Sequence, residues 1–337
     1  MSNPKQVQYT QLGSSGLKVS VPILGAMSFG SSEWLPWVLD EDKSFEVLKA
    51  AWDRGINTID TANIYSNGES ERVIGRFIKK YNIPRSQIIV LTKCFGPVLE
   101  KPSDGWGSYE LMNKHRHVNQ CGLSRAAILN QVDASLERLQ TPYIDLLQIH
   151  RLDHSVPAEE IMKALHDVVQ AGKVRYIGAS SMRAWEFAHL NDVAARNGWT
   201  KFVSMQDEYS LLYREDEREM HAYCRFNGIG IIPWGPLCSG NLARPIGASS
   251  VRSDATKNSA VGSEQYNFTE ADRSIISRVE ELSKKHGVPM AAVALAWIAL
   301  KVASPIVGTS SVKRLEDNIP IPDFKLTDEE VKYLEEP

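Results

Sequence analysis

The sequence predicts an α/β fold: a (β/α)8 TIM barrel with an N-terminal β-hairpin and an extra C-terminal helix. Short apolar runs of strand length alternate strictly with segments of helical periodicity, and there are eight such units. The 337 residues suit one barrel, so residues 1–337 are read as a single domain. No GxGxxG fingerprint follows the first strand, which argues against a doubly wound sheet.

Each element has its own signal. VQYTQL, a Gly13-Ser-Ser-Gly16 turn and LKVS make a hairpin over residues 7–20. Val21–Leu24 is the first barrel strand, and Lys43–Arg54 a helix with Val47, Leu48, Ala51 and Trp52 inward. Ile56–Asp60 leads to a helix for which Ser66 and Glu69 form a capping box and Val73, Ile74, Phe77 and Ile78 the buried face. Ile88–Thr92 is followed, after a long irregular stretch, by a helix from Ser124. Ile144–Ile149 precedes a helix opened by Pro157 and closed near Gly172. Val174–Ala179 leads to the Trp185 helix and Phe202–Gln206 to REDEREMHAYCRF, a charged helix. Gly230–Pro233 starts the seventh unit, with helices near 270–286 and 289–301. Pro305–Val307 and Val312–Asn318 form the eighth, and Thr327–Glu335, capped by Thr327 and Glu330, is the additional helix.

Composition narrows the function. Apolar residues at 43% allow a large core, and 38 Lys and Arg against 41 Asp and Glu give −3. That near-neutral balance, without a long basic run, argues against nucleic acid or an anionic membrane as partner. Cys94, Cys121, Cys224 and Cys238 show no CxxC or metal spacing and read as reduced thiols. His115, Arg116 and His117 are adjacent in a loop and have no further ligands around them, so no metal is expected. MSNPKQVQYTQLG lacks the apolar core of a signal peptide, and Met290–Val302 is too short to span a bilayer. A soluble, cytoplasmic protein is expected, as a monomer or weak homo-oligomer.

GINTIDTANIY, residues 55–65, concentrates the chemistry. A buried strand ends on Asp60, and Tyr65 sits in the loop beyond it. Lys93 closes IIVLT and His150 follows IDLLQI. Carboxyl ends of strands are where α/β barrels place their chemistry. Asp, Tyr, Lys and His at three strand ends make a proton-transfer set. Taken singly, Asp60 could cap a helix, Tyr65 could be packing and His150 a satisfied barrel histidine; Lys93 is the sharpest signal, because a lysine ending a buried strand must find an anion. Three long connections, Ser28–Asp42, Cys94–Leu123 and Gly235–Thr269, lie on the same face. The first two carry Trp34, Trp37, Phe95, Trp106 and Tyr109, which suggests an apolar substrate pocket. The third, SSVRSDATKNSAVGSEQ, is expected to be a mobile flap.

Taken together, GINTIDTANIY, LTK ending at Lys93, IDLLQIHRLD, VRYIGASS, QDEYSLLYREDEREM, IIPWGPL and PIVGTSSVKRLEDN resemble the aldo-keto reductase family, in family order over nearly the whole chain. Within it the chain looks like the longer microbial and fungal reductases, such as those acting on versiconal-type polyketides. The resemblance implies reduction of an aldehyde or ketone by NADPH, NADH being the less expected cofactor. It implies a tetrad of Asp60, Tyr65, Lys93 and His150, with Tyr65 as general acid, Lys93 as the cation that helps it give up its proton, and His150 orienting the carbonyl oxygen.

Cofactor positions carry over one at a time. Ser180, Ser181 and Gln206 match the residues around the nicotinamide carboxamide, with Ser181 where the family often has Asn. Trp234 matches the stacking aromatic, commonly Tyr, and Leu237, Ser239 and Gly240 would follow the pyrophosphate. Arg314, with Ser310 and Ser311, would bind the 2′-phosphate; similar reductases often have Arg or Lys at Ser310. Asp317, usually Glu, and Asn318 would meet the adenine. Two other readings stay open: a cofactor-binding regulatory subunit like the channel-associated β subunits, whose WGPL-type segment is similar, and a dehydrogenase of sugars or polyols.

Overall fold

Residues 7–248, 268–321 and 323–336 are described by the computed structural model of the chain. The hairpin pairs β1 (Gln8–Gln11) with β2 (Lys18–Val21). The barrel strands are β3 (Ile23–Gly25), β4 (Thr58–Asp60), β5 (Ile89–Cys94), β6 (Ile144–Ile149), β7 (Val174–Ser180), β8 (Ser204–Gln206), β9 (Gly230–Ile231) and β10 (Ile306–Gly308). All eight pair in parallel in the order β10-β3-β4-β5-β6-β7-β8-β9. Ile306 N–H donates to Pro233 O at 2.9 Å, which brings the two ends of the sheet together.

The helices are α1 (Glu41–Asp53), α2 (Glu69–Lys80), α3 (Arg125–Leu139), α4 (Ala158–Gln170), α5 (Ala184–Arg196), α6 (Met220–Phe226), α7 (Glu270–His286), α8 (Met290–Ala299), α9 (Val312–Asn318) and α10 (Asp328–Glu335). Their apolar stripes pack on the outer face of the sheet: Val73, Ile74 and Phe77 of α2 and Ile128 and Val132 of α3 are fully buried. The expected cap at Thr327 forms, with Thr327 Oγ1 accepting from Glu330 N–H at 3.2 Å, and Ser124 caps α3, its Oγ accepting from Ala127 N–H at 3.2 Å.

Several local expectations change. The run Val21–Leu24 is divided at Pro22, with Val21 ending β2 and Ile23 opening β3, because proline brings no N–H to a ladder. Ser66 and Glu69 form no capping box. Tyr65–Gly68 is a 3-10 turn with Ser66 at φ 49°, and Gly68, in the left-handed region, precedes α2. Ser66 Oγ instead accepts from Ser31 N–H at 3.3 Å, docking the loop after β3, and Glu69 pairs with Arg76. REDEREMHAYCRF begins as a 3-10 turn, Glu215–Glu217, and becomes α-helical only at Met220. The stretch expected to be a flap, residues 249–265, lies outside the described residues. Among the described residues, no helix is long and apolar enough to cross a membrane.

The hairpin closes the amino-terminal end of the barrel. Leu12, Leu17 and Val19 pack with Ile23, Leu91, Leu146, Ile232 and Ile306 in one buried cluster. Gly13 makes the approach possible: a Cβ there would sit 2.3 Å from Gly228 O, so only glycine lets the turn lie against the chain entering β9.

Candidate active site

Strand alternation decides what faces the barrel axis. On β5 and β6, Leu91 pairs with Leu146 near the floor and Lys93 with Gln148 two residues nearer the mouth. The same period brings Asp60 to the end of β4 and Gln206 to the end of β8. Gly178 of β7 leaves room for this layer, since a Cβ there would meet Ser204 Oγ at 2.4 Å and Gln148 Cγ at 3.3 Å.

The layer is one hydrogen-bonded unit. Lys93 Nζ donates to Asp60 Oδ2 at 2.5 Å, Thr61 O at 2.9 Å and Tyr65 Oη at 3.3 Å, which uses all three ammonium hydrogens. Asp60 Oδ1 accepts from Gln148 Nε2 and from Gln206 Nε2, both at 2.9 Å. Gln206 Nε2 also donates to Gln148 Oε1 at 2.8 Å. A carboxylate only accepts, so the Gln206 amide nitrogen must face inward, and its carbonyl oxygen is what remains for the cleft it lines. Lys93 is 1% and Asp60 2% exposed, and a charge pair that deep persists because every donor and acceptor is matched.

Tyr65 and His150 stand above this layer, ring edge to ring face, with centroids 6.0 Å apart. Burial raises the Tyr65 phenol above its ordinary 10.0; Lys93 pulls it down and Asp60 pushes it up, and burial wins. In the free protein the cation therefore does not bring the phenol toward neutrality, as expected from sequence, and the phenol stays protonated. Burial, and then the cations Lys93 and Arg151, hold His150 well below 6.5, so its imidazole is neutral with one N–H to donate. Lys93 is held above its ordinary value: burial opposes its charge, but Asp60 and Tyr65 together outweigh that.

A cleft of about 1190 Å³ opens over this set, from the loop after β5 across the barrel mouth to α9. Asp60, Tyr65, His150, Ser180, Gln206, Trp234, Leu237, Ser239, Gly240, Ser310, Arg314, Asp317 and Asn318 line it. Lys93 lies beneath the wall. Ser181 is also outside the wall: its Oγ accepts from Trp234 Nε1 at 3.3 Å and so orients the indole. Ser239 at φ 54° and Gly240 at φ 89° turn the chain along the cleft. Arg314 Nη1 donates to Ser310 Oγ at 2.9 Å, while Ser311 Oγ caps α9 by accepting from Arg314 N–H at 3.3 Å.

Of the expected pocket aromatics, Trp37, Phe95 and Trp106 line the cleft and Trp34 does not. Trp34 is 5% exposed and packs on Trp106 and Tyr65, with centroids 4.4 and 6.4 Å away. It backs the pocket rather than facing it. The Tyr109 side chain lies outside the described ones. Two site residues escaped the sequence reading. Gln148 was signalled by one amide in the apolar run IDLLQI, and Arg151 by a charge directly after His150. Among the described residues, no group of three or more His, Cys, Asp and Glu could hold a metal.

Comparison with known proteins agrees with this architecture. The model of the aldo/keto reductase family matches residues 23–337. The aldo-keto reductase AMT2 of Alternaria alternata is 53% identical, over 98% of this chain and 91% of its own. The aldo-keto reductase dtxS3 of Metarhizium robertsii is 50% identical over the same shares, 98% and 91%. Versiconal hemiacetal acetate reductase of Aspergillus parasiticus is 48% identical, over 98% and 97%.

Proposed function

The chain belongs to the aldo/keto reductase family of oxidoreductases, and we propose that it reduces an aldehyde or ketone to an alcohol with NADPH, Tyr65 being the general acid. The observation that carries this reading is the Asp60–Lys93–Tyr65 chain of hydrogen bonds ending at the cleft. The family's cofactor, when bound, supplies a hydride to the carbonyl carbon. What the protein must add is a proton and a place for negative charge on the oxygen.

Tyr65 begins protonated, as a general acid must, and Lys93 at 3.3 Å stabilises the phenolate left after donation. Asp60 holds Lys93 in place and balances its charge, so the pair can stay buried without a net ion. Neutral His150 offers one N–H to the carbonyl oxygen and fixes which lone pair faces Tyr65.

The residues along the other half of the cleft fit a nicotinamide dinucleotide. Gln206 offers an amide oxygen to a carboxamide NH2, with its nitrogen tied to Asp60 and Gln148. Trp234 presents a ring anchored through Ser181. Arg314 pairs with no carboxylate among the described residues and keeps a guanidinium fork for phosphate, which favours NADPH over NADH. The aromatic walls, Trp37, Phe95 and Trp106, favour a hydrophobic or aryl carbonyl over a phosphorylated sugar. The Aspergillus parasiticus relative is named as a reductase of versiconal hemiacetal acetate.

The test is turnover of purified protein on a panel of aromatic and aliphatic aldehydes and ketones, with NADPH and NADH in parallel. NADPH oxidation that depends on the carbonyl compound is expected, with a lower KM for NADPH than for NADH. Tight NADPH binding without turnover on any member of the panel would instead favour a regulatory, cofactor-sensing protein.

A further inference from the structure

The charges around the reacting end of the cleft do not cancel. Asp60 and Lys93 neutralise each other at 2.5 Å, and Tyr65 and His150 are uncharged. Beside His150 stands a full charge, the guanidinium of Arg151, which lines the cleft. It is half-buried, and its one hydrogen bond among the described residues is from Nη1 to His150 O at 2.6 Å. A guanidinium has five N–H donors, so the described residues leave most of its fork unused.

Arg151 has no counter-ion among the described residues. The nearest acid along the chain, Asp153, is engaged elsewhere: Oδ2 accepts from Leu123 N–H at 3.0 Å, and Oδ1 from Ser155 N–H at 3.1 Å and Ser155 Oγ at 2.6 Å. The other arginines that reach inward, such as Arg54, Arg85 and Arg138, each hold a carboxylate. Arg151 also stands apart from the dinucleotide half of the cleft. It follows β6 and adjoins the loop after β5, whereas Ser180, Gln206, Trp234 and Arg314 belong to β7 and beyond. Its field reaches the reacting groups, since it is one of the cations that lower both Tyr65 and His150.

We propose that Arg151 is a substrate-recognition residue, and that the preferred substrates are carbonyl compounds carrying a carboxylate-like anionic oxygen near the reacting carbonyl. A half-buried fork with no carboxylate partner among the described residues, set beside an apolar and aromatic wall, is complementary to such a group. The inference rests on the carbonyl-reductase reading of the cleft and adds the charge of the substrate to it.

The experiment compares 2-, 3- and 4-carboxybenzaldehyde with their neutral methyl esters, using NADPH and the full-length chain. At least one acid is expected to exceed its ester in kcat/KM by roughly tenfold to a hundredfold, the range of a charge-assisted pair. That ratio should shrink as ionic strength rises and collapse toward one in Arg151→Gln. Arg151→Lys, which keeps the charge without the fork, should retain part of it. Turnover of the esters with no acid preferred, or a ratio that survives Arg151→Gln, overturns the role of Arg151 and leaves the reductase reading intact. If Arg151→Gln does not fold, the salt dependence and the Lys variant decide. No turnover of acids or esters alike removes the reductase reading itself, and this inference with it.

Discussion

The floor and the mouth of the barrel are built by the same strands and do opposite things. At the floor, Leu91 and Leu146 meet Leu12, Leu17 and Val19 of the hairpin, and nothing polar is needed. Two residues further along β5 and β6, Lys93 and Gln148 occupy the equivalent inward positions and join Asp60 and Gln206 in a closed hydrogen-bond network. Apolar contact at the floor is tolerant of exchange and contributes stability. The mouth is buried just as deeply but holds charge, so its members depend on one another. A barrel can keep one end for holding itself together and the other for chemistry because strand periodicity reaches both ends independently.

Variants at the two ends should separate those roles. Lys93→Met leaves the Asp60 carboxylate buried without its cation, and about 3–5 kcal/mol of stability should be lost. Activity should fall with it, by at least about a hundredfold in kcat. Urea unfolding and steady-state kinetics on one preparation measure both; a stable Lys93→Met would mean that the pair is not what holds the mouth together. Leu12→Ala at the floor should cost about 2–5 kcal/mol, the usual range for a truncated core leucine. Its folded fraction should keep the wild-type kcat, and a loss of kcat there would show that the two ends are coupled.

Gln148→Met makes a finer cut. It preserves volume but removes one hydrogen-bond partner from each of Asp60 and Gln206, which keep the bond between them. The unfolding midpoint should fall, though by less than in Lys93→Met, because two buried hydrogen bonds of the layer are lost in the free protein. NADPH affinity should also weaken by about five- to twentyfold, the value of a lost buried hydrogen bond. Fluorescence quenching by NADPH measures it, and unchanged affinity would show that the Gln206 amide needs no help to hold its orientation. The smallest expected effect is a pH slope. His150 is held below 6.5 in the folded chain, so the unfolded chain takes up a proton first as pH falls through that value. Stability should therefore decline below about pH 6.5, by up to about 1.4 kcal/mol per pH unit from this group, with no contribution above it. His150→Gln should flatten that part of the curve in denaturant titrations.

What could be read from sequence follows the same division. The strands β6 and β7 and the helix after Ser124 were legible because long runs with one period leave little choice. Asp60, Lys93 and His150 were legible because a polar residue closing an apolar strand stands out. Ser66 was misread, because its hydroxyl could serve either the following helix or the loop after β3, and only the fold brings Ser31 to it. Trp34 was placed in the pocket wall because a loop tryptophan carries no mark of which face it turns. Gln148 and Arg151 went unnoticed for a related reason. Their meaning lies in what stands opposite them: Gln206 two strands away, and the absence of a carboxylate beside Arg151 among the described residues.

The claim that the mouth delivers a proton through Tyr65 is tested most directly by comparing wild type with Tyr65→Phe, using NADPH and 4-nitrobenzaldehyde and following the reduced cofactor's absorbance. The wild type should oxidise NADPH, and Tyr65→Phe should be slower by at least about a hundredfold while binding NADPH equally well. Equal rates in the two proteins would contradict the assignment of Tyr65 as the acid.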